Sequence, residues 1–427
     1  MTDYREVQDY LFGLKAKGVK FGIDRMRGLA RELGHPERQL PIIHVAGTNG
    51  KGSTSAMLDA ILRRAGYRVG LYSSPHLVRL GERVQVDRVE LTESEIVAYT
   101  AELKPIAAAL AVDDASDHPS FFEFVTAMAF LQFQRQNCDV GIVEVGLGGE
   151  LDATNVVQPA VTAITSIGYD HCEILGYSLP EIAQAKAGII KAQAPVVMGR
   201  LPADAERVVR ARALAVGAPL FSVRERFGEE LTNYPAPAMS GDCQRWNAGT
   251  AALVIEALNW GISDRTIQDG LRSAHWPARW QHIPWEGRDV ILDASHNPEG
   301  AVELTQNLRR LKAQLQRPMT IVVGALGVAR AGPLISAVAE FADRLFLVVP
   351  DQARACSHAQ LSHLVPSTFQ GMLRYETVAD LFGQKKILTG TQIGDTIVVT
   401  GSIYLAGEAM AALSPIALKI ESHLQDF

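Results

Sequence analysis

The stretch of this chain best suited to chemistry is Gly47-Thr48-Asn49-Gly50-Lys51-Gly52-Ser53. Glycines let a backbone wrap close to a phosphate, so that its amides and a following helix N-terminus point at the anion. Lys51 can reach the terminal phosphates of a nucleotide as a point charge, and the Ser53 hydroxyl can ligate Mg²⁺. The spacing departs from GxxxxGK[ST]: Val45 stands at the first-glycine position, and Gly52 separates the lysine from the serine. A glycine-rich run alone is more often an ordinary turn. Here a strand expected over 42–46 runs into the loop and a helix expected over 53–64 leaves it, the context a nucleotide loop needs.

Other candidates sit where strands end. Glu144 closes a short apolar run, and a carboxylate at a strand's C-terminal end in an open α/β sheet faces the usual ligand crevice. The alternative is a solvated strand-end carboxylate. His171 also follows a strand, and either a structural or a ligating role fits it. Lys186 lies on a helix opened by Ser178-Leu179-Pro180-Glu181, a capping-box spacing with proline in the first turn. Such a lysine is ordinarily a surface charge, as Lys191 at the helix end is expected to be. Asp293-Ala294-Ser295-His296-Asn297-Pro298 closes a strand and opens a helix, with Asn297 a good N-cap and Pro298 a good first residue.

These residues need a scaffold of alternating strands and helices, the pattern of βαβ units and a parallel sheet. Strands are expected over 42–46, 68–72, 139–144 and 161–166, and a buried helix over 121–136. The alternation breaks over 276–287 and restarts with strands over 290–292, 320–323, 345–349 and 396–399. The chain's 427 residues exceed one ordinary core. Two α/β domains are therefore expected, 1–284 and a smaller doubly wound, Rossmann-like unit over 285–427.

The net charge of −6 argues against a nucleic-acid partner, which needs a basic face. No apolar run is long enough to span a bilayer, and Met1 to Glu6 show no apolar core behind a basic start. Cys138, Cys172, Cys243 and Cys356 are scattered, which disfavours disulfides and structural zinc. A reduced, cytoplasmic, monomeric setting with small-molecule partners and no membrane is the expectation.

The run HVAGTNGKGS resembles the signature of the folylpolyglutamate synthase / dihydrofolate synthase family, a branch of the Mur ligase superfamily. So does Gly146-Leu147-Gly148-Gly149-Glu150-Leu151-Asp152-Ala153-Thr154-Asn155. The similarity continues in order through YSSPHL, SIGYDH, KAGIIK and DASHNP, covering most of the chain. The family implies a P-loop-type parallel-sheet ATPase domain followed by a glutamate-ligase domain. It implies ATP and Mg²⁺, two ions, held by Ser53, Ser74 (or its neighbour Ser73), Glu144 and His171. Lys51, Lys186, His171 and His296 would carry the catalysis, with Lys186 carbamylated. ATP would meet Asn49, Gly50, Lys51, Gly52, Ser53, Asn247, Arg279 and Asp293.

A pterin would meet Gly22, Ile23 and Asp24; Ser120, Phe121, Phe122 and Glu123; and Leu151, Asp152 and Ala153. Phe122 could stack on it, although the same phenylalanines also read as helix core. The implied activity is ATP-dependent ligation of L-glutamate to dihydropteroate and to reduced folates through an acyl phosphate. The alternatives are a monofunctional folylpolyglutamate synthase, a cell-wall Mur-type ligase, a plain P-loop ATPase or kinase, and a non-catalytic nucleotide-binding relative. One departure stands out. Where the family shows Asp-Lys-Asp after a second-domain strand, this chain has Ala325-Leu326-Gly327-Val328-Ala329-Arg330, with Arg330 the possible substitute cation.

Overall fold

The computed structural model describes residues 3–16, 22–383, 390–414 and 420–421. Among these, eight strands form a first sheet: β1 (Ile42–Ala46), β2 (Val69–Tyr72), β3 (Val84–Val86), β4 (Val89–Glu90), β5 (Val140–Glu144), β6 (Val161–Ile164), β7 (Val196–Met198) and β8 (Leu220–Ser222), in the order β4-β3-β2-β5-β1-β6-β7-β8. A second sheet holds β9 (Gln281–Trp285), β10 (Arg288–Asp293), β11 (Thr320–Val323), β12 (Arg344–Val348), β13 (Met372–Glu376) and β14 (Thr396–Thr400), in the order β13-β12-β11-β14-β10-β9.

The parallel expectation holds for the centre of each sheet and fails at an edge. β3 and β4 join the first sheet antiparallel, and β9 joins the second antiparallel. Two-residue and three-residue strands are too short to show a period, which is why β3 and β4 were not legible in the sequence. The boundary expected at 284/285 cuts through β9. Its pairing of Gln281 with Leu292 and Trp285 with Arg288 assigns residues from Gln281 onward to the second sheet. Pro284 sits on this edge strand, where a missing N–H is tolerated.

β1 is buried along its whole length, as a strand covered on both faces must be. The helix Lys51–Arg64 packs on one face with the helices Asp242–Leu258 and Asp264–Ser273. The helix Phe121–Arg135 lies in the core on the other face. Register pairs Val45 with Glu144 and Ala46 with Ile164, so β1, β5 and β6 end side by side and their following loops share one crevice. The segment between the sheets contains Ala278 and Trp280 at φ 53° and 52°, left-handed conformations that turn the chain sharply into the second domain. Among the described residues no helix is long and apolar enough to cross a membrane.

Candidate active site

The crevice opens into a cavity of about 750 Å³ walled by both domains. The loop 47–53 forms its floor. Gly50 is left-handed at φ 84°, and a Cβ there would lie 2.3 Å from Asn247 Oδ1; a Cβ on Gly52 would lie 2.7 Å from Trp276 Nε1. Glycine is thus favoured at both positions by shape, and at Gly50 by conformation as well. Lys51 opens the helix and its Nζ donates to Gly47 O at 3.1 Å and Thr48 O at 3.3 Å, with Glu144 Oε1 4.0 Å away. Ser53 is buried in the first helical turn.

Ser53, Ser74, Glu144 and His171 all line this cavity, as do Lys186 and His296. Ser73 does not, which separates the two serines: Ser74 Oγ is buried in the wall without a hydrogen-bond partner among the described residues. The nucleotide candidates Asn49, Asn247, Arg279 and Asp293 line it too. Asp293 has a local duty as well, accepting from Trp280 N at 3.2 Å and from Ser295 N and Oγ at 3.0 and 2.6 Å.

Burial sets the electrostatics. It pushes the Glu144 carboxyl up to about 7, with Lys51 and Arg279 pulling the other way. It pushes His171 down to about 4 against the pull of Asp170, leaving a neutral imidazole. Lys186 is fully buried, its Nζ donating to Gly47 O at 3.0 Å; burial and then repulsion from Lys51 bring its amine down to about 7. It is therefore not the solvated helix charge that its residue type alone suggests. A hard cation suits an oxygen-rich, partly neutral donor set of this kind. Among the described residues no three His, Cys, Asp or Glu side chains cluster as a metal cage. A cation here would complete its shell with phosphate oxygens and water, the usual habit of Mg²⁺.

The pterin candidates lie elsewhere. None of Gly22, Ile23, Asp24, Ser120 to Glu123 or Leu151 to Ala153 lines the cavity. Their three segments do meet one another. Arg25 Nε pairs with Glu123 Oε1 at 3.2 Å, and the helices Asp24–Glu32 and Phe121–Arg135 both pack on the turn Ala153–Val156. Phe121 is core, lying under the Arg83 guanidinium, whereas Phe122 is half-buried with its ring 5.9 Å from that of Tyr72. Ser120 and Glu123 form a capping box. Asp24 is exposed and holds Arg27.

Asp152 is engaged internally, accepting from Gly146 N, Leu147 N and Thr154 N at 3.1, 3.0 and 2.9 Å. Thr154 Oγ1 gives its single proton to Asp152, so the His44 Nε2–H donates to Thr154 in turn. This buried chain fixes the second glycine-rich loop to β1.

Sequence reasoning missed Asp170. Burial alone would raise its carboxyl, but His296, His171 and Arg330 hold it well below the usual carboxylate range. Arg330 Nη2 lies 2.8 Å from Oδ1; Asn297 Nδ2 donates to Oδ2 at 3.1 Å; His296 Nε2 is 3.5 Å from Oδ2. Asn297 and Asn49 exchange amide bonds at 3.2 and 3.0 Å. The aspartate stood in SIGYDH, but its three partners lie in the second domain, beyond any local signal. The altered segment thus supplies a cation that fastens the second domain to the first beside the glycine-rich loop. Arg330→Ala leaves Asp170 its asparagine and histidine partners. It is expected to raise the KM for glutamate roughly tenfold, about 1.4 kcal/mol, with the KM for ATP changed far less. Steady-state kinetics with each substrate varied checks this.

The Mur ligase middle domain matches residues 45–222, and the Mur ligase glutamate ligase domain matches residues 278–403. A Bacillus subtilis dihydrofolate synthase/folylpolyglutamate synthase is 38% identical over 352 residues, covering 76% of this chain and 80% of the relative. The structure of Escherichia coli FolC in complex with DHPP and ADP superposes with a TM-score of 0.82 at 31% identity, covering 96% of this chain and 97% of the other. A bifunctional folylpolyglutamate synthase/dihydrofolate synthase with Mn, AMPPNP and L-glutamate bound gives 0.81 at 32% identity, covering 95% and 98%. With two Mur ligase domains matched in order, and a relative of this identity matched over most of its length, the chain belongs to the dihydrofolate synthase/folylpolyglutamate synthase family of Mur ligases.

Proposed function

We propose that this enzyme, an ATP-dependent amide-forming ligase, joins L-glutamate to dihydropteroate and to reduced folates. The observation that carries the reading is the convergence of Lys51, Ser53, Ser74, Glu144, His171 and Lys186 on one cavity closed by the second domain. The bound DHPP, nucleotide and L-glutamate of the relatives fit the same chemistry.

The pterin substrate's carboxylate oxygen attacks the γ-phosphorus of ATP, and ADP leaves. The glutamate amine then attacks the acyl carbon, and the tetrahedral intermediate expels inorganic phosphate. Lys51 and the loop amides hold the transferring phosphate, and Arg279 offers a second cation from the domain junction. Ser53, Ser74, Glu144 and His171 would hold Mg²⁺, which when bound neutralises phosphate charge. The Asp170, Arg330 and Asn297 contacts close the second domain, excluding water from an acyl phosphate that would otherwise hydrolyse.

Lys186 is the site proposed for carbamylation. Its buried amine, with a pKa near 7, is neutral in a large fraction of molecules at neutral pH and can add to CO₂ with release of a proton. The pterin contacts are assigned to the segments joined by Arg25 and Glu123.

Purified protein with ATP, Mg²⁺ and L-glutamate, given dihydropteroate or tetrahydrofolate, is expected to yield a glutamate-sized mass gain with both acceptors. A gain with tetrahydrofolate alone would make the enzyme a monofunctional folylpolyglutamate synthase and remove the pterin assignment.

A further inference from the structure

Ser74 is presented by a turn with a long-range support. Within the turn, the Glu82 carboxylate accepts from the backbone N–H of Leu77, Val78 and Arg79 at 2.7, 2.9 and 2.8 Å. Leu77 and Val78 pack into the second domain's core beside Val290 and Ile397. On the other side stands Glu421, buried, from the segment after the second domain's helix Ile403–Leu413.

Every polar group of Glu421 faces the first domain. Leu80 N donates to its Oε2 at 2.6 Å, while Tyr4 Oη and Gln8 Nε2 donate to its Oε1 at 2.8 and 2.7 Å. Its own N–H donates to Val78 O at 2.8 Å. Its carbonyl takes a bond from His76 Nε2 at 3.3 Å. Arg83 Nε donates to His76 Nδ1, so that nitrogen carries no proton and Nε2 does. One residue therefore ties the helix Tyr4–Ala16, the turn beyond Ser74 and the chain leaving the second domain. A buried carboxylate receiving three donors is a rigid tie, because any displacement strands a charge without partners.

We propose that Glu421 is a positioning residue for the ligation, holding the 76–80 turn so that Ser74 stays in the cavity wall in register with Ser53 and Glu144. The inference rests on Ser74 serving as a Mg²⁺ ligand. Residues that orient a ligand without touching the metal typically alter metal affinity by about 10- to 100-fold.

Glu421→Gln keeps the shape but exchanges one acceptor oxygen for a donor, so whichever way the amide turns, Leu80 N–H or the Tyr4 and Gln8 pair loses its acceptor. The half-saturating Mg²⁺ concentration for ligation is expected to rise about tenfold. At saturating Mg²⁺, kcat stays within about twofold of the parent, since excess metal restores the occupied site. A tie that served stability alone would lower Tm and leave the Mg²⁺ requirement where it is. Gln8→Glu, which sets a second carboxylate against Glu421, is expected to move the requirement in the same direction. Ser74→Ala, measured alongside, isolates the underlying reading. If Ser74→Ala raises the requirement and neither Glu421→Gln nor Gln8→Glu does, the role of Glu421 is overturned while the ligand assignment stands. If Ser74→Ala leaves it unchanged, the ligand assignment fails and the inference fails with it.

Discussion

Lys51→Ala is expected to lower kcat for glutamate ligation by about 10²- to 10³-fold, the loss seen when one preorganised group facing developing charge is removed. The lysine opens the helix at the loop and lies within reach of two loop carbonyls and Glu144. Its charge thereby stands in the cavity wall where the proposed reaction puts the terminal phosphate. Removing it also takes away the first group lowering the buried Glu144 carboxyl, so that carboxyl moves further up from about 7. Lys51→Arg is not a rescue, because the planar guanidinium cannot occupy the space of a compact ammonium against the loop. Rapid-quench kinetics of the variant, with nucleotide affinity measured separately, checks the magnitude. A variant within about tenfold of the parent kcat would remove Lys51 from the transferring phosphate.

Lys186→Ala carries the second large effect, a fall of about 10²-fold in kcat, the upper end for a group that orients or charges a metal site. If the amine is carbamylated, parent activity also depends on dissolved CO₂, and stripping bicarbonate reproduces part of the loss until it is added back.

The buried amine makes a separate prediction for stability. Burial lowers its pKa from 10.5 to about 7. Below about 7 the folded and unfolded chains both bind the proton, and the folded state bears the full penalty of a buried charge. Between about 7 and 10.5 only the unfolded chain binds it, so stability rises with pH across that window. Lys186→Met removes this contribution. The Tm advantage of the variant, recorded in CO₂-free buffer, should be greatest below about 7 and shrink as pH rises. A difference that is flat with pH would contradict the placement of the amine.

The parts of the site legible in the sequence were those that one strand and its next turn create. The strand Ile42–Ala46, the loop behind it and the helix from Lys51 follow from local residue types. The Ser178 and Glu181 capping box formed as its spacing implied. Glu144 could be placed because a strand end needs only a short apolar run to announce it. Asp170 could not, because its meaning depends on Arg330 and Asn297, which reach it only when the domains meet. Glu421 is tied to Tyr4 and Gln8 across nearly the whole chain, and no spacing rule reaches that far. Phe121 and Phe122 show the same limit at short range. Adjacent and identical in type, one is core and the other half-buried, decided by which faces of their helix meet the sheet. The domain boundary moved for a related reason: β9 reads as irregular, and only its pairing with β10 makes it a strand.

In the proposed reaction, ATP activates the acceptor carboxylate as an acyl phosphate before the amine arrives. Dihydropteroate labelled with ¹⁸O in its carboxylate, turned over with ATP and L-glutamate, tests it most directly through the mass of the inorganic phosphate released. With both carboxylate oxygens labelled, one ¹⁸O is expected in each phosphate, because the carboxylate oxygen that attacks phosphorus leaves with it when the amide forms. Unlabelled phosphate accompanying the amide product would contradict it.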